Sequence, residues 1–440
     1  MHHSFRLVAS GMAQASLSTR AMPVIITQLL HASRDTCTSF TLHGNVVFYR
    51  LCLILGTLLV SVAPFDARAD CLTRGTGDLG IVIERASGSV QVVDTTALTS
   101  LFRIRELGDL SHASAVFSRD ERYAYIFGRD GGLSKIDLLC GQLVKRIVQA
   151  GNSIGGAISQ DGKLVAVSNY TPGGVNVFDA ATLVQIADLP AAAGDGKLSK
   201  VVGLVDAPGQ RFVYTLYDAG EIVIADMNNV KKPVLQVITD IGKQPYDALI
   251  TPDGRFYIAG LFGEDGMALV DLWNPQAGVF RILGKYGRGE EKLPVYKMPH
   301  LEGWAVMGRY AYVPAVGRHE VLVMDSTSWK EVARIKVHGQ PVFVEACPCG
   351  RQVWVNFAHP HNDTVQVINT QTLQIMHSLQ PGKGVLHMEF TPRGEMAWVS
   401  VRDSDEVQIY DTRTFKRVAT LPAEKPSGIF FTARAHKTGL

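Results

Sequence analysis

The sequence predicts an all-β fold: an eight-bladed β-propeller of four-stranded antiparallel blades, closed by N- and C-terminal strands that share one blade. Three observations carry this. First, a short polar turn recurs along the chain, ending at Arg122, Lys163, Arg211, Arg255, Arg309, Arg351, Glu395 and His436, at intervals of 41 to 54 residues. TPDGR is its clearest form, and SRDER, SQDGK, APGQR, AVMGR, CPCGR, TPRGE and TARAH are the others. Second, each turn has the same surroundings. An apolar run such as VFVEAC precedes it, a β-rich run such as RQVWVNF follows, and a third run ends near Asp, as in GVNVFDA or EVQIYDT. A fourth run, such as KEVARIKV, completes the unit. Third, the two ends complement each other. GIVIERAS, GSVQVVD and LTSLFRI supply three strands without an innermost one, and GIFFTARA supplies an innermost strand without partners. Joining them hides sheet edges that would otherwise invite association.

In chain order, residues 1–69 precede the repeat. Arg50 leads into the apolar run of residues 51–60, and Ala67-Arg68-Ala69 suits a cleavage site, so the segment reads as an export signal. The run is too short for a stable membrane span. The part before about Val46 reads as an over-extended gene start. Residues 70–440 form the propeller. Cys71 follows the cut and is a candidate lipid anchor, although Arg68-Ala69-Asp70 is a poor lipobox. Cys347 and Cys349, with one residue between them, are expected to be too close for an easy disulfide. No C-x-x-C-H string occurs, which excludes a covalently attached c-type haem.

GTGDLG, Gly75 to Gly80, matches the dinucleotide fingerprint. That fingerprint works only between a strand and a helix whose N-terminus takes the pyrophosphate. Here it opens a strand, so it reads as an entry turn. The formal net charge of +2 argues against nucleic acid as a partner.

Propeller geometry sorts residues onto two faces. The turns above lie on one. The loops entering innermost strands, and those between second and third strands, lie on the other. His112, His300 and His387 precede or enter innermost strands by their spacing. Arg85, Arg129, Tyr170, Glu264, Arg318, His319, His359, His361 and Arg402 fall in second-to-third-strand loops. Any single histidine on such a loop is ordinarily just a polar loop residue. Several imidazoles and guanidiniums on one face suit a metal-bearing ligand with carboxylate arms. A rival reading is a hydrolytic propeller whose Ca²⁺ is held by Asp247, Glu264, Asp265 and Glu302. His359, His361 and Asp363 suggest a small metal site.

At LSHASAVFSRDERYAYIFGRDGGLSKIDL, Leu110 to Leu138, the chain resembles the haem d1 domain of cytochrome cd1 nitrite reductase. The resemblance implies an eight-bladed propeller with His112 as the proximal iron ligand. It implies Arg85 and Arg129 near the haem carboxylates, and His300, in MPHLEGW, as a distal histidine or catalytic acid/base. Val342 stands where the nitrite reductases carry a second distal histidine, and their c-type haem domain is missing, which argues against nitrite reduction. GTGDLG, GRDGGLSKIDL, QPYDALITPDGRFYIAGLFGEDGMALVDLW and MPHLEGW resemble the NirF family of haem d1 biosynthesis more closely. That resemblance implies a periplasmic protein binding haem d1 or its dihydro precursor and modifying a tetrapyrrole side chain before the final desaturation. It also implies association with a NirN-type c-type cytochrome and with cytochrome cd1 nitrite reductase. Tyr170 and Trp304 are expected to border the macrocycle or to serve packing. A non-catalytic haem d1 carrier is the alternative within the same family.

Overall fold

The computed structural model describes residues 71–192, 196–284 and 303–439. His300, Glu302 and the export segment 1–69 lie outside the described residues. Among the described residues the strands form eight four-stranded antiparallel sheets. Their innermost strands are Ser114–Phe117, Asn152–Ile158, Val201–Ala207, Pro245–Ile250, Ala305–Met307, Pro341–Ala346, Val385–Phe390 and Pro426–Phe431. They line a central channel, and the expected blade count holds. Pro426–Phe431 pairs with Leu79–Glu84, so the two chain ends share one blade.

The recurrent turn has a physical basis. In TPDGR the Thr251 hydroxyl donates to Asp253, the Gly254 N–H donates to the Thr251 carbonyl (2.7 Å), and Gly254 takes φ +70°. Arg255 then reaches Asp271, at the end of its own blade's third strand, at 2.8 Å. Arg122–Asp137 and Arg309–Asp325 repeat that pair. The same aspartates accept from N–H groups two or three residues on and so shape the next turn. In these three blades the turn Arg and the strand-end Asp are therefore two halves of one device, whereas Arg211 bonds the Pro208 and Leu272 carbonyls instead.

Second strands such as Gln352–Phe357 and Arg211–Leu216 are buried almost throughout, because each is covered by both neighbouring blades. Outermost strands such as Gln142–Val148 are largely exposed. The core lies between blades: Trp354 meets Phe390 edge to face at 5.6 Å, and Trp398 meets Phe431 likewise at 5.5 Å.

The last repeat differs from expectation. TARAH is not a hairpin turn but a short 3₁₀ segment, Thr432–His436, because the next strand of that blade comes from the other end of the chain. The Thr432 hydroxyl bonds the carbonyls of Thr76 (2.8 Å) and Leu79 (2.9 Å), stitching the ends together. GTGDLG is thus the entry turn, with the Leu79 N–H closing onto the Thr76 carbonyl at 2.9 Å.

The C-terminal segment crosses the turn face of the ring. Arg434 pairs with Glu389 at 2.5 Å, both buried, and His436 meets Glu121 at 2.8 Å. Arg119 bonds the Ala435 carbonyl and Asp206, and the Gly439 N–H reaches Asp206 at 2.9 Å.

Two corrections concern cysteines. Cys71 forms a disulfide with Cys140, which leaves its sulfur no valence for a lipid thioether. Cys347 and Cys349 are also joined. The turn folds back between them and brings their Cα atoms to 5.1 Å, within the range a disulfide spans.

Candidate functional site

The innermost strands share an irregularity that the sequence hid. Pairing with the second strand slips at Val202/Val205, Pro245/Ala248, Pro341/Val344 and Val385/Met388, always near the end opposite the turns. Such bulges re-aim side chains. Here they turn Asp247, Phe343 and His387 into a channel cavity of about 300 Å³. Gly203 sits in one bulge at φ +58°, where an added Cβ would come within 2.8 Å of Ala248.

His112 lines this cavity from a turn just before Ser114–Phe117, and it is exposed. Asp109 shapes that turn by accepting the Ser111 N–H at 2.8 Å. The Asp109 carbonyl accepts the Arg129 N–H, also at 2.8 Å, which ties the neighbouring hairpin tip to the His112 loop. Arg85, on the loop after Leu79–Glu84, lines the same cavity. Burial, and then the charge of Arg402, lower its guanidinium's proton affinity, while Asp109 partly offsets them. The bonds from Ser111 hold Asp109 below the usual carboxylate range, with help from the charges of Arg129 and Arg85. Arg402 is itself paired with Asp403 at 2.7 Å. Positive groups therefore gather near an exposed imidazole, with Asp109 as a carboxylate on which the charges of Arg129 and Arg85 act.

Tyr170, at the end of Leu164–Thr171, shares a hydroxyl–hydroxyl bond with Tyr246. Burial first, then Tyr246, pushes the Tyr170 phenol well above its usual range, and the charge of Arg129 opposes them. Tyr246 continues into an aromatic cluster with Tyr217 and Phe262, each at 6.0 Å between centroids. Asp247, next in sequence, faces the cavity.

His112 and Arg85 thus line one cavity, the backbone of Arg129 is tied to the His112 loop, and Tyr170 feels the charge of Arg129 without lining that cavity. The structure does not bring Trp304 to them. Ala305–Met307 pairs only with the turn-side half of its neighbour, Ala305 opposite Tyr312, so Trp304 lies at mid-depth. It is buried and borders a separate cavity of about 540 Å³ with Cys347, Phe390 and Arg434. Packing is the role its surroundings give it.

His387 is not at the rim either. It lies inside the channel wall between Phe343 (5.5 Å) and Phe430 (5.3 Å), and its Nδ1 accepts the Ile429 N–H at 3.3 Å. Burial, and then the nearby Arg434 guanidinium, lower its pKa to about 3, so the ring is neutral.

Of the candidate calcium ligands, one is already engaged and Glu302 lies outside the described residues. Glu264 is engaged by Arg281 at 3.0 Å and by the Lys243 N–H. Among the described residues no three His, Cys, Asp or Glu side chains converge as a metal site, the His359 and His361 loop included. His361 instead meets His338 edge to face at 4.7 Å. Sequence reasoning missed Asp109 and Tyr246. Asp109 precedes His112 by three residues, and an Asx-type turn at that spacing was the available signal. Tyr246 left none, because only the bulge turns it inward.

Comparison with known proteins gives a consistent answer. The Cytochrome D1 heme domain family matches residues 74–435. Protein NirF of Pseudomonas aeruginosa is 63% identical over 369 residues, covering 83% of this chain and 94% of that protein. Protein NirF of Stutzerimonas stutzeri is 59% identical over 385 residues, covering 87% and 98%. The solved structure of dihydro-heme d1 dehydrogenase NirN in complex with DHE superposes with a TM-score of 0.72 at 26% identity, over 83% of this chain and 78% of that one. With an exposed imidazole and clustered guanidiniums at the mouth of an eight-bladed ring, the chain belongs to the Cytochrome D1 heme domain family and, within it, to the NirF proteins.

Proposed function

We propose that this chain binds haem d1 or its dihydro precursor at the channel mouth and acts in haem d1 biosynthesis, with His112 ligating the iron. The observation that carries the reading is the exposed His112 on a cavity wall shared with Arg85, with Arg129 tied to its loop. The residues suit the ligand's chemistry. The charges of Arg85 and Arg129 both act on Asp109, and planar guanidiniums bind carboxylate arms in pairs. Tyr170, a neutral phenol, offers a hydrogen bond and an aromatic edge at the rim. His387, also neutral, adds an uncharged ring between Phe343 and Phe430 to the channel beneath. Bound iron would supply the electronic coupling to the macrocycle; the protein orients the ring, neutralises its acid groups and limits water. His300, outside the described residues, keeps the far-side acid/base or distal role that the family resemblance implies.

We further propose a tetrapyrrole side-chain modification before the desaturation that the NirN relative's name describes. Periplasmic location, and contact with a NirN-type cytochrome and cytochrome cd1 nitrite reductase, belong to the same proposal. The Cys71–Cys140 disulfide supports an oxidising compartment.

The test is a visible-spectrum titration of the purified chain with haem d1 and with the dihydro form. A histidine-ligated spectrum that vanishes in His112→Ala is the expected result. An unaltered spectrum in that variant would overturn the assignment. Incubating the chain with the didecarboxylated sirohaem precursor separates enzyme from carrier: a changed mass marks catalysis, and an unchanged mass marks a carrier.

A further inference from the structure

The two disulfides differ in kind. Cys71–Cys140 bridges a sequence separation of 69 and anchors the start of the described chain, where the Leu72 N–H also bonds the Leu139 carbonyl at 2.8 Å. Cys347–Cys349 bridges a separation of two, inside a turn that is already closed. The Cys347 N–H bonds the Gln352 carbonyl at 3.0 Å, and the Gly350 N–H bonds the Cys347 carbonyl at 2.9 Å. Cross-link stabilisation grows with the loop enclosed, so this second bond adds little to the fold.

Its surroundings suit exchange instead. Cys347 is fully buried in the wall of the turn-face cavity, whereas Cys349 is half-exposed between exposed Pro348 and Gly350. One sulfur is open to attack and the other is shielded. The shielded sulfur has groups ready for its reduced forms. The Cys349 N–H lies 3.2 Å from Cys347 Sγ, a donor to a thiolate, and the Gly394 carbonyl lies 3.6 Å away, an acceptor for a thiol. Gly394 is needed for this arrangement. It sits at φ +70° in the next blade's turn, and an added Cβ would fall 2.8 Å from both Cys347 Sγ and Cys349 N.

We propose that Cys347-Pro348-Cys349 is a thiol–disulfide exchange site that takes a dithiol as its reductant. A thiolate of the dithiol attacks Cys349 Sγ, and the electron pair of the S–S bond leaves on Cys347 Sγ. Cys347 is then protonated by the proton that the attacking thiol released. The dithiol's second thiolate attacks its own sulfur in the mixed disulfide, closes the reductant's disulfide and expels the Cys349 thiolate, which takes the second proton. The reductant loses two electrons and two protons, and the cysteine pair gains them. The site lies on the turn face, away from the His112 mouth, and stands apart from the tetrapyrrole reading.

The test is graded reduction of the folded full chain with dithiothreitol, quenched with iodoacetamide and followed by peptide mass mapping. The expected result is paired alkylation of Cys347 and Cys349 at dithiothreitol concentrations that leave Cys71–Cys140 intact. Reduction of Cys71–Cys140 at equal or lower concentrations would overturn the proposal. So would alkylation of Cys347 and Cys349 before any reductant is added, or a requirement for denaturant. The single variants check the direction of attack. In Cys347→Ser the remaining Cys349 thiol should alkylate at least ~10-fold faster than the Cys347 thiol of Cys349→Ser, with unchanged circular dichroism in both. Equal or reversed rates would refute attack at Cys349.

Discussion

The two ends of the central channel obey different rules. At the turn end most blades present the same hairpin, and the buried charges there are matched, Arg434 with Glu389 and Arg119 with Asp206. At the mouth the blades diverge. The bulges in four of the innermost strands carry Gly203, Asp247, Phe343 and His387 at comparable positions, and the charges of Arg85 and Arg129 both act on Asp109. The repeat builds the ring, and departures from the repeat build the site. Matched charge makes the turn end a structural floor, while partly matched charge at the mouth is available to a ligand.

That contrast breaks most visibly by removing one partner of a buried pair. Arg434→Met leaves Glu389 buried without its cation and should cost about 3–5 kcal/mol in urea unfolding. Tetrapyrrole affinity of the remaining folded protein should stay constant; a parallel loss would mean that the two ends are coupled. His112→Ala is the opposite case, with an unchanged Tm and a tetrapyrrole Kd weaker on the order of 100-fold, measured by absorbance titration. Arg85→Gln and Arg129→Gln should each weaken binding about tenfold, in a salt-sensitive way. Arg281→Gln, which removes a guanidinium already paired with Glu264, should leave binding alone.

The smallest effect concerns acid. His387 titrates near 6.5 when unfolded but about 3 in the fold, so between those values the unfolded chain takes up a proton that the folded chain refuses. Its contribution to stability is complete above pH 6.5. It declines by up to about 1.4 kcal/mol per pH unit as pH falls through that window. His387→Phe, placed between two phenylalanines, should flatten that part of the wild-type curve when urea midpoints at pH 7.5 and pH 5 are compared. An unchanged slope would show that the ring is protonated in the fold.

Much of this was legible beforehand. The Arg and Asp periodicities follow from turn chemistry that recurs with the blade, so the architecture and the shared closing blade could be read from spacing alone. His112, Arg85, Arg129 and Tyr170 could be placed because they flank strands whose ends the turns mark. His387 was misplaced because counting from a turn assumes an unbroken register, and a bulge at Val385/Met388 breaks it. Of the two roles open to Trp304, packing is the one its buried surroundings favour. The cysteine pairings eluded spacing arguments, because Cys71 and Cys140 are distant in sequence and Cys347 and Cys349 depend on how one turn folds.

The sequence by itself determined the repeating four-stranded blade, the way the ring closes and which loops share a face, because those follow from local turn propensity and alternating hydrophobicity. Only the tertiary structure decided which of those loop residues meet at one cavity, which charges are already matched and which histidine is neutral. These depend on register slips and on burial by neighbouring blades, and neither leaves a mark within a single repeat.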